Sequence, residues 1–219
     1  MLNQGTHLID GPVGSIEIMV DVPGSAAPSG VVVIGHPQPL LGGSAQHKVP
    51  HFLAKGFSEA GFVAVRPNFR GVGKTEGTHD AGSGEADDLL SLIHAIRNEH
   101  PELPLHLVGF SFGAFVQAKV ADALTKTGVP ANSVCLAGMP YGEVEGGRSY
   151  DTPKGLVNAL VIHGEMDERV PLSSVFEWAR PSNQVVTVIP GADHFFHRKL
   201  HCIRNIILSN WLGFPRTSS

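Results

Sequence analysis

A chain of 219 residues, 42% hydrophobic and 16% charged, carries enough apolar side chain for one substantial core and reads as a single domain over residues 1–219. Its formal net charge of −4 offers no basic footprint for nucleic acid or an anionic membrane surface, and no apolar stretch approaches a bilayer span. The start, Met1-Leu2-Asn3-Gln4-Gly5, lacks the basic and apolar segments of a signal peptide, and two cysteines, Cys135 and Cys202, make neither a disulfide framework nor a metal-ligand spacing; a cytoplasmic location is the expectation.

In chain order, residues 6–10 read as a strand, a turn follows at Gly11-Pro12-Val13-Gly14, and Ile16, Ile18, Val20 and Val22 share one face of a second strand. This pair predicts an antiparallel hairpin at a sheet edge. Residues 25–30 read as a loop of turn residues. Val31-Val32-Val33-Ile34 then begins a series of short apolar runs, continued by Phe62-Val63-Ala64-Val65, Leu105-His106-Leu107-Val108, Val134-Cys135-Leu136-Ala137, Leu160-Val161-Ile162-His163 and Val185-Val186-Thr187-Val188-Ile189. Such runs suit parallel strands buried on both faces. Helical stripes lie between and after them. Val49, Phe52, Leu53 and Ala60 form one, Ala86, Leu89, Leu90, Ile93 and Ile96 a second, Phe115, Val116, Val120, Ala123 and Leu124 a third, and Leu200, Ile203, Ile207 and Trp211 a fourth. The alternation predicts an α/β fold, a doubly wound, mostly parallel sheet of about eight strands. The tail, residues 213–219, is expected to fray.

The chemistry enters at Gly109-Phe110-Ser111-Phe112-Gly113, a G-x-S-x-G pentapeptide directly after a strand and before a helix. The turn is so sharp that the serine takes a strained conformation with its hydroxyl at the tip, and only glycine-sized neighbours leave room for it. Serine becomes a useful nucleophile when an imidazole takes its proton. His194, in the glycine-containing loop after the last strand, is the candidate base, and Asp167, in the loop after the preceding strand, is the candidate orienting acid. All three then project from the carboxyl ends of strands, in the chain order Ser, Asp, His. Glu165, Glu168 and Asp193 are the competing carboxylates, and Asp193 adjoins His194 too closely to reach its far nitrogen.

Four motifs in this order give the chain a clear resemblance to the α/β-hydrolases. More narrowly it resembles the small, lid-less bacterial serine hydrolases and carboxylesterases with an H-P-x-P-L-x-G-G loop, here His36-Pro37-Gln38-Pro39-Leu40-Leu41-Gly42-Gly43, followed by Arg66-Pro67-Asn68-Phe69-Arg70-Gly71-Val72-Gly73-Lys74-Thr75-Glu76-Gly77. The resemblance implies an α/β-hydrolase fold without a lid domain and a Ser111, Asp167, His194 triad. It also puts Gln38 at the oxyanion position. Backbone N–H groups stabilise a developing oxyanion, and between Pro37 and Pro39, which have none, Gln38 is the one donor. Phe112, heading the helix after the serine, is the second, and Leu40 is the backup. His36 is expected to brace this loop, and the 68–77 segment to be a shaped turn, since it lacks a P-loop's G-K-[ST] spacing.

Leu40, Tyr141 and Phe195 are candidate substrate contacts. Residues 139–158, between the fourth and fifth parallel runs, have room for a loop and one short helix, so the site is expected to be open. These features predict hydrolysis of a small-molecule ester with a small or exposed acyl group, with no metal or organic cofactor and no nucleic-acid or membrane partner; nothing in the sequence specifies an oligomeric state. A thioesterase or peptidase with the same triad, or a non-catalytic binding protein on this fold, are the alternatives. The serine itself disfavours a dehalogenase, which would carry Asp at this turn, and a dienelactone-type hydrolase, which would carry Cys.

Overall fold

The computed structural model describes residues 2–24 and 27–212. Among them the elements run β1 (Gly5–Gly11), β2 (Gly14–Asp21), β3 (Val31–Gly35), α1 (Lys48–Glu59), β4 (Val63–Pro67), α2 (Ser83–Glu99), β5 (Leu105–Phe110), α3 (Phe112–Lys126), β6 (Ser133–Ala137), β7 (Gly142–Val144), β8 (Arg148–Tyr150), β9 (Ala159–Gly164), α4 (Leu172–Ala179), β10 (Val186–Ile189) and α5 (Leu200–Leu212). Eight of these strands form one sheet in the order β1-β2-β4-β3-β5-β6-β9-β10. The pairings β1–β2 and β2–β4 are antiparallel and the remaining five parallel. The N-terminal hairpin therefore sits at an edge, as its half-polar pattern requires.

The period-two alternation of the strands sorts side chains to two cores. Val31 and Val33 of β3 face a cluster shared with Leu89, Leu92 and Ile96 of α2 and Val116 and Val120 of α3. Val32 and Ile34 face the other side, against Val49, Leu53 and Phe57 of α1 and Ile203 and Ile207 of α5. Every residue of β3, β4 and β5 is buried, which explains why these runs are mostly apolar, with Arg66 and His106 as the buried polar residues among them. No helix among the described residues is long and apolar enough to cross a membrane.

Two segments differ from the sequence expectation. The 139–158 stretch holds no helix; β7 and β8 pair as a short antiparallel hairpin, with Gly142 opposite Tyr150 and Val144 opposite Arg148. Gly146 and Gly147, at φ 83° and 73°, supply the left-handed turn such a hairpin needs. Val144 and Tyr150 turn inward while Glu143 and Ser149 stay exposed. Helix α4, absent from the expected elements, is eight residues long and buries Val175 and Trp178 at helical spacing, too brief a stripe to stand out from its flanks. The Trp178 Nε1–H donates to the Thr152 and Pro153 carbonyls at 3.2 and 2.9 Å, tying down the chain beyond the hairpin. Residues 25 and 26 of the expected loop, and the 213–219 tail, lie outside the described residues.

Candidate active site

Strands β3 and β5 are neighbours, with Gly35 opposite Gly109, so the loops that follow them leave the same sheet edge side by side. This is also where the strand order changes direction, the usual position for a site in an open α/β sheet. Ser111 sits at φ 56° and ψ −124°, a conformation that side-chain-bearing residues rarely hold and that costs on the order of 1–3 kcal/mol. Glycine is required on both sides for a steric reason. A Cβ on Gly109 would overlap the Gly113 carbonyl and Ala114 Cα, and one on Gly113 would overlap the Gly35 carbonyl. The turn is thus pressed directly onto the backbone of β3.

The structure brings the three predicted polar residues together. Ser111 Oγ lies 2.9 Å from His194 Nε2, and His194 Nδ1 lies 2.7 Å from Asp167 Oδ2. The Asp167 carboxylate is buried, and its Oδ1 accepts from the Arg169 and Val170 backbone N–H groups at 3.0 and 2.8 Å. Those bonds fix the acid's orientation from its own loop. Nδ1–H is therefore the tautomer that donates to Asp167, leaving Nε2 free to accept from the serine. The competing carboxylates are engaged elsewhere or outside this contact: Asp193 pairs with His197 Nδ1 at 2.5 Å and Glu165 accepts from Gly191 N–H at 2.7 Å.

Behind Asp167 stands a second imidazole that the sequence reading did not single out. His163 is fully buried, its Nε2 2.9 Å from the Val170 carbonyl and 3.4 Å from Asp167 Oδ2. Burial lowers its pKa, which makes it a neutral support of the acid's loop. Its place in the run Leu160-Val161-Ile162-His163 marked it as a strand residue, and nothing in that pattern separates a packed histidine from a functional one.

The loop after β3 carries Gln38 beside Ser111 in one cleft. Among the described residues neither the Gln38 nor the Phe112 backbone N–H makes a hydrogen bond, so neither donor is spent inside the fold. Leu40 N–H is already capped, at 3.3 Å, by the Gln38 side-chain oxygen, whose amide nitrogen donates to Tyr150 Oη at 3.2 Å. The side chain of Gln38 therefore ties its own loop to β8. His36 is the loop's inner brace. Its Nε2 accepts from Phe69 N–H at 3.0 Å and its Nδ1–H donates to the Pro37 carbonyl at 2.7 Å. Burial pushes its pKa down to about 3, so it holds its loop as a neutral ring.

The 68–77 segment is a turn spent on structure. Arg70 makes a two-pronged pair with buried Asp88 at 2.7 and 2.8 Å. Asn68 bridges Glu17 of β2 and the Ala45 N–H at 2.6 and 2.8 Å. No cation of this segment faces the serine cleft among the residues that line it.

The cleft has two arms meeting at Ser111 and His194. The larger, about 130 Å³, is walled by His47 and Phe195, and the smaller, about 40 Å³, by Val144, Arg148 and Tyr150; Gln38, Leu41 and Arg169 line both. Of the expected contacts, Phe195 is in place. Leu40 is not: its side chain is 68% exposed, and its neighbour Leu41 lines the cleft instead. The intervening turn (Pro39–Leu41) is a single 3₁₀ turn, which sends adjacent residues in different directions. Tyr141 also lies outside the cleft, its ring under Lys154 Nζ at 4.8 Å, and Tyr150 takes the wall position. His47 caps α1 by accepting Val49 N–H at Nδ1, at 3.3 Å, so its proton resides on Nε2; burial and the nearby His194 keep its pKa low.

Comparison with known proteins identifies the family of this fold. The family model for serine aminopeptidase S33 matches residues 27–144. An α/β serine hydrolase without lid from Xanthomonas campestris is 32% identical, with a TM-score of 0.85 and coverage of 99% of this chain and 98% of that one. An α/β serine hydrolase homologue from Coxiella burnetii is 33% identical, with a TM-score of 0.79 and coverage of 96% and 98%. A monoacylglycerol lipase of Mycolicibacterium smegmatis is 33% identical over 106 residues, which is 46% of this chain and 36% of the lipase. With more than half of its length matched by one family and near-complete overlap with serine hydrolases above 30% identity, the chain belongs to the serine aminopeptidase S33 family within the α/β-hydrolase superfamily.

Proposed function

We propose that the protein hydrolyses carboxylic esters with small or exposed acyl groups, with Ser111 as nucleophile, His194 as general base and acid, and Asp167 as the group that orients the imidazole. The observation that carries this is the unbroken relay from Ser111 Oγ through His194 to buried Asp167, with contacts of 2.9 and 2.7 Å. As Ser111 attacks the ester carbonyl, its proton passes to His194 Nε2, and the oxyanion is received by the Gln38 and Phe112 N–H groups. His194 then protonates the departing alcohol. In the second half, a water gives its proton to His194 and its oxygen to the acyl carbon, releasing the acid and restoring Ser111.

Esters are preferred over amides in this reading because the lipase similarity points there, and because alcohols leave more readily than amines. The peptidase alternative has one specific support, the description of the matching family. A panel of ester, thioester, amide and lactone substrates, run beside covalent labelling by a fluorophosphonate probe, tests both. We expect labelling of the wild type, none of Ser111→Ala, and fastest turnover on short esters. Full activity of a folded Ser111→Ala variant would end the proposal.

A further inference from the structure

The hairpin in the 139–158 segment and the loop carrying Asp167 bring two guanidinium groups to the smaller arm of the cleft. Arg148 and Arg169 both line it, together with one carboxylate, Glu145. The Arg169 guanidinium lies over the Phe195 ring at 5.0 Å. Its nearest approach to Glu145 is 3.8 Å, outside hydrogen-bonding range. Arg148 donates from Nη2 to the Glu145 carbonyl oxygen at 2.9 Å, while its Nε is buried and has no hydrogen-bond partner among the described residues.

Among the described residues that line this arm, two cations stand against one carboxylate and leave it net positive. Glu145 neutralises it poorly, since its side chain is 61% exposed and that of Arg169 44% exposed, a setting in which ion pairs contribute little. The volume beside Ser111, about 40 Å³, has room for about three water-sized groups, enough for a carboxylate and too little for an alkyl chain. Guanidinium forks match the two oxygens of a carboxylate in both spacing and plane. We infer that the substrate is an ester bearing a free carboxylate a few bonds from the scissile carbonyl, held by Arg148 and Arg169. This rests on the ester-hydrolase reading above and narrows it to half-esters of dicarboxylic acids and similar anionic esters.

The test uses binding, so that it does not depend on turnover. Calorimetric titration of Ser111→Ala with monomethyl glutarate and with dimethyl glutarate compares two ligands that differ in one charge. The monoester is expected to bind about tenfold tighter, the equivalent of one charge-assisted contact, and added salt is expected to weaken it. In Ser111→Ala carrying Arg148→Gln and Arg169→Gln the preference is expected to vanish, and Glu145→Gln is expected to enlarge it. Equal affinities, binding of neither ligand, or a preference that survives loss of both arginines would overturn the inference. Fluorophosphonate labelling of the wild type keeps the two proposals apart. Labelling without a monoester preference removes the anion site alone. A monoester preference without labelling removes the hydrolase reading and leaves the site.

Discussion

At Ser111 the backbone and the side chain have opposed requirements. Holding the hydroxyl at the tip of the turn demands φ 56° and ψ −124°, which any residue with a Cβ resists. Ser111→Gly is therefore expected to unfold at higher urea than Ser111→Ala, by about 1 kcal/mol, with both variants inactive. Identical midpoints would show that the turn is unstrained. Asp167 makes a second residue-scale prediction. Asparagine there would still accept the Arg169 and Val170 N–H groups, but its amide would face His194 Nδ1 with hydrogens. The imidazole would then carry its proton on Nε2, facing the serine, and could not take another. Asp167→Asn is expected to keep its melting temperature and lose about 10³–10⁴-fold in kcat; a loss of less than tenfold would argue that Asp167 does not set the tautomer.

At the scale of elements, the site depends on how closely α3 and β5 approach β3. Because Gly109 sits against the backbone of Gly113 and Ala114, a methyl group there can be housed by displacing α3. Gly109→Ala is expected to destabilise by about 2–3 kcal/mol in urea unfolding, a typical overpacking cost, and wild-type stability would show that the helix can slide freely. The hairpin β7–β8 makes a different prediction. It walls the serine on one side, and among the described residues the two arms of the cleft, about 130 and 40 Å³, are too small to house a long acyl chain. Rates on p-nitrophenyl esters are expected to fall from butyrate to palmitate; a steady rise with chain length would require an apolar channel.

The elements also show what a sequence can and cannot disclose. Strands buried on both faces announce themselves, because nothing polar is tolerated in runs such as Val31-Val32-Val33-Ile34. Ser111, Asp167 and His194 could be named because each follows a strand and so must leave the sheet at one edge. The walls of the cleft could not be read in this way. Leu41 replaces Leu40 through the geometry of one 3₁₀ turn, and Tyr150 replaces Tyr141 because a glycine turn folds the segment back on itself. Arg148 and Arg169 come to line the serine's cleft through tertiary placement that no local pattern encodes.

Across the whole molecule, buried histidines set the response to acid. Burial pushes His36 down to about 3 and His106 to about 4, and lowers His163 and His47 as well. The unfolded chain binds protons at these sites below about pH 6.5, while the folded chain refuses them, so stability is complete above that pH and declines as pH falls toward 3. His36 dominates, since protonation would set a second N–H against the Phe69 N–H it now accepts. For this residue the loss is on the order of 5 kcal/mol over the full window. Urea midpoints measured from pH 8 to pH 4.5 are expected to drop steadily below pH 6.5; a flat profile would mean that these rings are not buried in solution.

The uncovered position of Ser111 bears on what becomes of an acylated serine. In a cleft walled by Leu41, Phe195 and the β7–β8 hairpin with no lid domain over it, such an adduct would be met by water, and dissolved alcohols or amines would have no dry chamber in which to compete with it as acceptors. The architecture suits irreversible breakdown of its esters and is poorly suited to building new ones, so transesterification products should stay scarce even when an added alcohol is plentiful.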